Sequence, residues 1–193
     1  MSLIKLVEIE ELEGTPREVA ESGKAQYGQV LNTWKAIMNR PDMFAAYLPF
    51  LRQVAGPGAL DAQLKDLIAL YVSYLNHCCY SVSHRSTSAR AKGVTDELMQ
   101  TIVAEDWSSF DERLQVSLAF AKELTILPTV TEYSELPQSA HPETLAGIRR
   151  LFSDEEILEL TMTIAMWNAL ARFHRVMDFD LDMPAGPEGV NPK

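Results

Sequence analysis

Between Leu60 and Leu75 the apolar residues Leu60, Leu64, Leu67, Ile68, Tyr71, Val72 and Leu75 return at spacings of three and four, the period that one buried face of an α-helix demands. Every other long patterned stretch of the chain follows the same period. It predicts helices over 16–22, 26–38, 41–54, 60–75, 77–92, 95–104, 109–126, 142–151 and 154–177, with breaks at Pro41, Gly56-Pro57-Gly58, Gly93, Pro128 and Pro137. Several starts carry their own capping signals: Thr15 before Pro16 and Glu18, Ser109 with Glu112, and Ser153 with Glu156. The expected fold class is all-α.

A chain of 193 residues with 47% apolar types can bury a substantial core. The expected organisation is a single all-helical domain over 1–182, with an N-terminal arm at about 1–24 and a core motif at 60–92. A Pro- and Gly-rich tail over 183–193 is expected to be loose or docked on a partner. The formal charge of -10 repels nucleic acid and argues against anionic membranes. No run approaches the ~18 apolar residues of a membrane span, and the first residues lack the apolar core and cleavage site of a leader. The two cysteines are adjacent and make no disulfide framework. The reading is a soluble cytoplasmic protein with no nucleic-acid and no membrane partner.

The helix pattern of 60–75 ends in Asn76-His77-Cys78-Cys79-Tyr80-Ser81-Val82-Ser83-His84-Arg85, the densest concentration of reactive side chains in the chain. Asn76 reads as the break and as the cap of a second helix that stops at Gly93, which puts Cys78 in its first turn. The positive end of that helix is expected to favour thiolate and lower the Cys78 pKa. At roughly 100° per residue, Cys78, Ser81 and Arg85 form one stripe, and His77, Tyr80, Ser81 and His84 a neighbouring one. Asp66, among Leu67, Ile68 and Leu70, is expensive to bury unpaired. It can face the thiol only if the two helices fold back as a bent or antiparallel pair. Glu159 to Asn168 echoes Asp66 to Asn76, one residue shorter, and leads to Arg172 and His174, which read as an interface or core network. His77, Cys78, Cys79 and His84 lack the spaced pairs of a zinc site, so no metal is expected.

Asp66, Asn76, Cys78, Tyr80 and His84 carry a resemblance to the carboxymuconolactone decarboxylase and alkylhydroperoxidase D-like superfamily. Its motif places an acid about one helix before an Asn-x-Cys-x-Tyr-Cys-x-x-x-His run. Ser81 stands where the second, peroxide-attacking cysteine belongs. Arg85 stands at the relay histidine, with His84 one place early. The resemblance implies an alkylhydroperoxidase D-like multi-helix fold that assembles as a dimer, trimer or hexamer.

It also implies a thiol-dependent antioxidant function needing no cofactor. Cys78 would attack a hydroperoxide, His84 would act as base or proton relay and Asp66 would activate or orient. Tyr80 or Ser81 would donate a hydrogen bond. The sulfenic acid left on Cys78 would be resolved by an external thiol, because a bridge to Cys79 is strained. The alternatives are a cofactor-free decarboxylase of a lactone acid, with Arg85 holding the substrate carboxylate and His84 protonating the product carbanion, and a degenerate member that keeps only the helical shell.

Overall fold

The computed structural model describes residues 2–192. Among them are nine α-helices: α1 (Gly14–Tyr27), α2 (Asn32–Ile37), α3 (Pro41–Ala55), α4 (Ala62–Leu75), α5 (Cys79–Ala91), α6 (Asp96–Val103), α7 (Glu112–Ile126), α8 (Pro142–Leu151) and α9 (Asp154–Met177). Short 3-10 turns lie at Ile9–Glu11 and Leu127–Thr129. The fold is all-helical, as the apolar period requires.

The boundaries carry instructive corrections. The first two helices divide at Gly28, whose φ of 77° is left-handed and ends α1. Gln26 and Tyr27, expected to open the second helix, therefore close α1, and the second helix begins at Asn32. Thr15 lies inside α1, whose N-cap is Glu13. Asp111, and not Ser109, caps α7 by accepting from Leu114 N–H. Ser153 and Glu156 do form a reciprocal capping box at α9.

α4 is the central helix. The period shows one buried face, but every residue from Leu64 to Ser73 is buried, because α5, α6, α7 and α9 all pack against it. Such enclosure forces its polar side chains into pairs. Lys65, 2% exposed, bonds Glu159 of α9 at 2.6 Å and the Gly56 carbonyl at 3.0 Å. The two asparagines of the internal echo meet, Asn76 Nδ2 lying 2.9 Å from Asn168 Oδ1, so the echo marks a physical junction between α4 and α9.

A second core gathers Val7, Ile9 and Leu12 of the N-terminal arm with Trp34, Phe44 and Leu48. Here α1 crosses so closely that a Cβ on Gly23 would lie 2.8 Å from the Trp34 ring. Between the two cores runs a narrow seam of Ala36, Cys78, Tyr80, Ala171 and Phe179. The tail is laid across α5 and α6: Val190 is fully buried, Gln100 donates to the Glu188 carbonyl, and Gly186 abuts Val82. No helix among the described residues is long and apolar enough to cross a membrane.

Candidate active site

The reactive cluster is built on a tight turn. Asn76 ends α4, His77 takes a left-handed φ of 52°, and the amides of His77 and Cys78 bond back to the Tyr74 and Ser73 carbonyls at 2.8 and 3.1 Å. This is a Schellman arrangement with histidine at the position usually given to glycine. Asn76 therefore closes α4 and does not cap α5; its amide goes to Val72 and Asn168. Cys78 is itself the N-cap of α5, its sulfur accepting from the Ser81 N–H at 3.4 Å.

The helix-start position does not lower the Cys78 pKa as expected. The residue is 2% exposed, and burial raises the thiol pKa against the opposing hydrogen bonds from Ser81. A dry site penalises thiolate more than two donors repay. Cys78 therefore rests as a thiol, while its neighbour Cys79 is exposed.

The residues singled out in the sequence separate into three groups. Asp66 is held by Arg85 at 3.2 Å, by Ser88 at 2.9 Å and by Lys92, one helix length from the thiol, so α4 and α5 are indeed antiparallel but Asp66 does not face Cys78. His84 bonds Asp182, which also accepts from Tyr80 Oη at 2.6 Å and from the Asn32 N–H at 2.7 Å. Cys78 bonds Ser81 Oγ at 3.2 Å, and Ser81 Oγ lies 2.7 Å from His174 Nδ1.

The last two groups are joined. His174 Nε2 lies 2.9 Å from Thr33 Oγ1, and Thr33 Oγ1 lies 3.3 Å from Tyr80 Oη. Bond directions follow from the end of the chain. Burial alone would raise Asp182, yet His84, Tyr80 and the Asn32 amide hold its pKa below the usual value, so it is an anion that only accepts. Tyr80 must then donate to Asp182 and accept from Thr33. Thr33 in turn accepts from His174 Nε2–H, which leaves Nδ1 to accept from Ser81 and Ser81 to accept from the thiol. One continuous series of donors runs from Cys78 S–H to Asp182. His174 can only take part as neutral imidazole, since burial first, and His84 second, press its pKa down to about 3.

Aromatic rings fix these groups in place. Tyr80 lies 4.5 Å from the His84 ring, 4.8 Å from His174 and 5.2 Å from Phe179. Ser81, His84, Arg85 and His174 line a chamber of about 50 Å³ roofed by Tyr27, Tyr47 and Trp167, large enough for only a few heavy atoms. Arg85 stacks on Trp167 at 4.8 Å. Cys78 is one side chain behind this wall, screened by Ser81. Among the described residues no group of three or more His, Cys, Asp or Glu is placed to hold a metal.

His174 is a buried member of a hydrogen-bonded network, as the sequence suggested, and it also lines the chamber; Thr33 and Asp182 escape a reading of the sequence. A single polar residue in an apolar helix gives no hint of its partner. Asp182 has only one local sign, its place beside Phe179, the apolar residue that plugs the seam.

Residues 41–123 match the model of the carboxymuconolactone decarboxylase family. No curated protein matches the chain. Among solved structures, a cysteine-to-alanine variant of the debrominase Bmp8 in complex with 2,3,4-tribromopyrrole is 20% identical, with 94% of this chain and 92% of that one covered at a TM-score of 0.76. An alkylhydroperoxidase AhpD core, an uncharacterized peroxidase-related protein from Ralstonia eutropha JMP134, is 16% identical over 98% and 94% at a TM-score of 0.76. A peroxidase-related protein from Silicibacter sp. TM1040 is 19% identical over 97% and 95% at 0.72.

Proposed function

We propose, from the premise that the chain belongs to the carboxymuconolactone decarboxylase and alkylhydroperoxidase D-like superfamily, that it is a thiol-dependent antioxidant enzyme. It would reduce hydroperoxides with Cys78 as nucleophile. The supporting observation is the donor series that leads the Cys78 proton through Ser81, His174, Thr33 and Tyr80 to Asp182 and its partner His84.

A resting thiol needs such a path. Once formed, the thiolate of a high-pKa thiol is the stronger nucleophile, but at rest it is scarce. In this reading the hydroperoxide enters the chamber and Ser81 turns aside to admit it as the thiol proton leaves. Sulfur attacks the distal oxygen and the O–O bond breaks. His84, which also lines the chamber, protonates the departing alkoxide while Asp182 takes up the proton that the thiol releases through the series, so no proton is gained or lost. The balance is Cys78–SH plus ROOH giving Cys78–SOH plus ROH. One external thiol then forms a mixed disulfide and water, and a second restores Cys78–SH and leaves as a disulfide. The external thiol acts because Ser81 offers no sulfur and Cys79 is the adjacent residue. A homo-oligomer working in the cytoplasm completes the reading.

The test is dimedone trapping after addition of tert-butyl hydroperoxide, with turnover measured under dithiothreitol. The adduct is expected on Cys78, with turnover abolished in Cys78→Ser at unchanged melting temperature. An adduct confined to Cys79, or undiminished turnover in Cys78→Ser, refutes the proposal.

A second reading has its own support: Ser81, His84 and Arg85 face the chamber, whereas the thiol does not. A lactone-acid decarboxylase would use Arg85 to hold the carboxylate and His84 to protonate the carbanion. It predicts lactone turnover that survives Cys78→Ser and fails in Arg85→Ala.

A further inference from the structure

On the outer side of His84 and Arg85 lies a second and larger cavity, of about 590 Å³. Among the described residues three cationic side chains line it, Arg52 from α3, Arg85 from α5 and Lys92 at the end of α5, and no aspartate or glutamate does. That inverts the character of a chain whose net charge is -10. Asp66 lies beneath the wall, bonded to Arg85 and Lys92. One carboxylate compensates one of three positive charges, so the lining keeps an excess of cation.

Arg52 is the informative member. Its Nη1 reaches Ser22 Oγ at 3.3 Å, but Nε and Nη2 are buried without any hydrogen-bond partner. These two nitrogens form one edge of the guanidinium, the edge that grips a carboxylate through two parallel bonds. Charged donors left dry and unmatched are costly, and each calls for a reason, a bound partner being one that restores the missing bonds. The edge is sealed from water in this state. Rotation about the last torsions of the long arginine side chain turns it into the cavity that the residue already lines.

We infer that this outer cavity binds the carboxylate of an organic acid, with Arg52 as its principal grip and Lys92 and Arg85 in support. Its volume falls within the range of about 300–1,000 Å³ usual for small-molecule sites. The remaining wall, with Tyr27, Pro57, Ala91 and Met183, suits a carbon skeleton. Both cavities share Tyr27, Ala55, His84 and Arg85, so a ligand anchored outside extends its other end past His84 into the inner chamber. Resting on the thiol reading for what that end carries, the substrate class is a carboxylate-bearing organic hydroperoxide.

The test is calorimetric binding of 4-isopropylbenzoate and its uncharged isostere 4-isopropylbenzamide to the full chain. The acid is expected to bind at least tenfold more tightly than the amide, with the preference shrinking as sodium chloride is raised and disappearing in Arg52→Gln. Equal binding of the two, no binding of the acid, or a preference retained in Arg52→Gln overturns the site. Binding is read without turnover, so the two proposals fail separately. Failure to reduce any hydroperoxide refutes the thiol chemistry alone, and hydroperoxide turnover without acid preference refutes this site alone.

Discussion

The hydroxyl of Ser81 lies 2.7 Å from Nδ1 of His174, a contact between residues 93 positions apart that ties the first turn of α5 to the last turns of α9. Ser81 also receives the Cys78 thiol at 3.2 Å. Among the described residues it is therefore what links the sulfur to the rest of the donor series, and it separates the sulfur from the chamber.

Replacing Ser81 tests both roles. In Ser81→Ala the thiol loses its proton path, and hydroperoxide turnover is expected to fall by ~10²–10⁴, the span of general acid–base contributions. Stability should drop by only ~1–3 kcal/mol, for His174 Nδ1 left buried without a donor. Thermal melts alongside steady-state rates distinguish the two effects. Ser81→Cys should close a bridge to Cys78 on oxidation, seen as the loss of two hydrogens in intact mass, because residues three apart on one helical turn meet disulfide geometry.

The two thiols should differ in order of reaction. Cys79 is exposed, while Cys78 is buried with its pKa raised above the ordinary 9.0. Iodoacetamide at pH 7.5 is expected to label Cys79 first and to reach native Cys78 only as the pH is taken above 9. Peptide mapping reads this directly; Cys78 labelled first at neutral pH contradicts the burial argument.

His174 should shape acid stability. The unfolded chain takes up a proton on this residue near pH 6.5, whereas the folded chain does so only near 3, so the unfolded state binds more protons in that window. Its contribution is intact above pH 6.5 and declines as pH falls, by ~1.4 kcal/mol per unit and ~2 kcal/mol by pH 5. Urea titrations between pH 4 and 8 should show this slope in the wild type and a flatter one in His174→Gln.

The Lys65–Glu159 pair should be the costliest to break. Glu159 also accepts from the Ala59 and Leu60 amides at 2.9 and 3.0 Å. Although partial burial opposes it, these bonds and the one from Lys65 pull its pKa down to about 2. Glu159→Ala strands a lysine inside the core, at ~3–5 kcal/mol. Gly58→Ala should lose part of the same stability, because a Cβ there would come within 2.2 Å of the Glu159 carboxylate and displace it. Denaturant unfolding of both variants measures the costs, and a loss below 1 kcal/mol in Glu159→Ala would speak against a buried pair.

Where the backbone folds locally, the residues announced it. The three-and-four spacing within 60–75, the Ser153 capping box and the break at Pro41 are signals within a few positions, and the fold has a helix over Ala62–Leu75, the box at the start of α9 and Pro41 at the start of α3. The boundary errors near Thr15, Asn76 and Ser109 arise where a neighbour competes for the same role. Asp111 caps better than Ser109 from where it stands, and a left-handed His77 makes the turn that Asn76 suggested.

Local sequence thus determined that the regular structure of this chain is helical and that its reactive side chains crowd the start of one helix. It could not determine whether Cys78 faces water or protein, because the seam enclosing it is closed by Ala36, Ala171 and Phe179 from distant parts of the chain. The same holds for its proton path, whose members Thr33, His174 and Asp182 come from three other parts of the chain. Periodicity records which face of a helix is apolar; the desolvation that sets a pKa, and the partner that takes a proton, depend on what packs against that face.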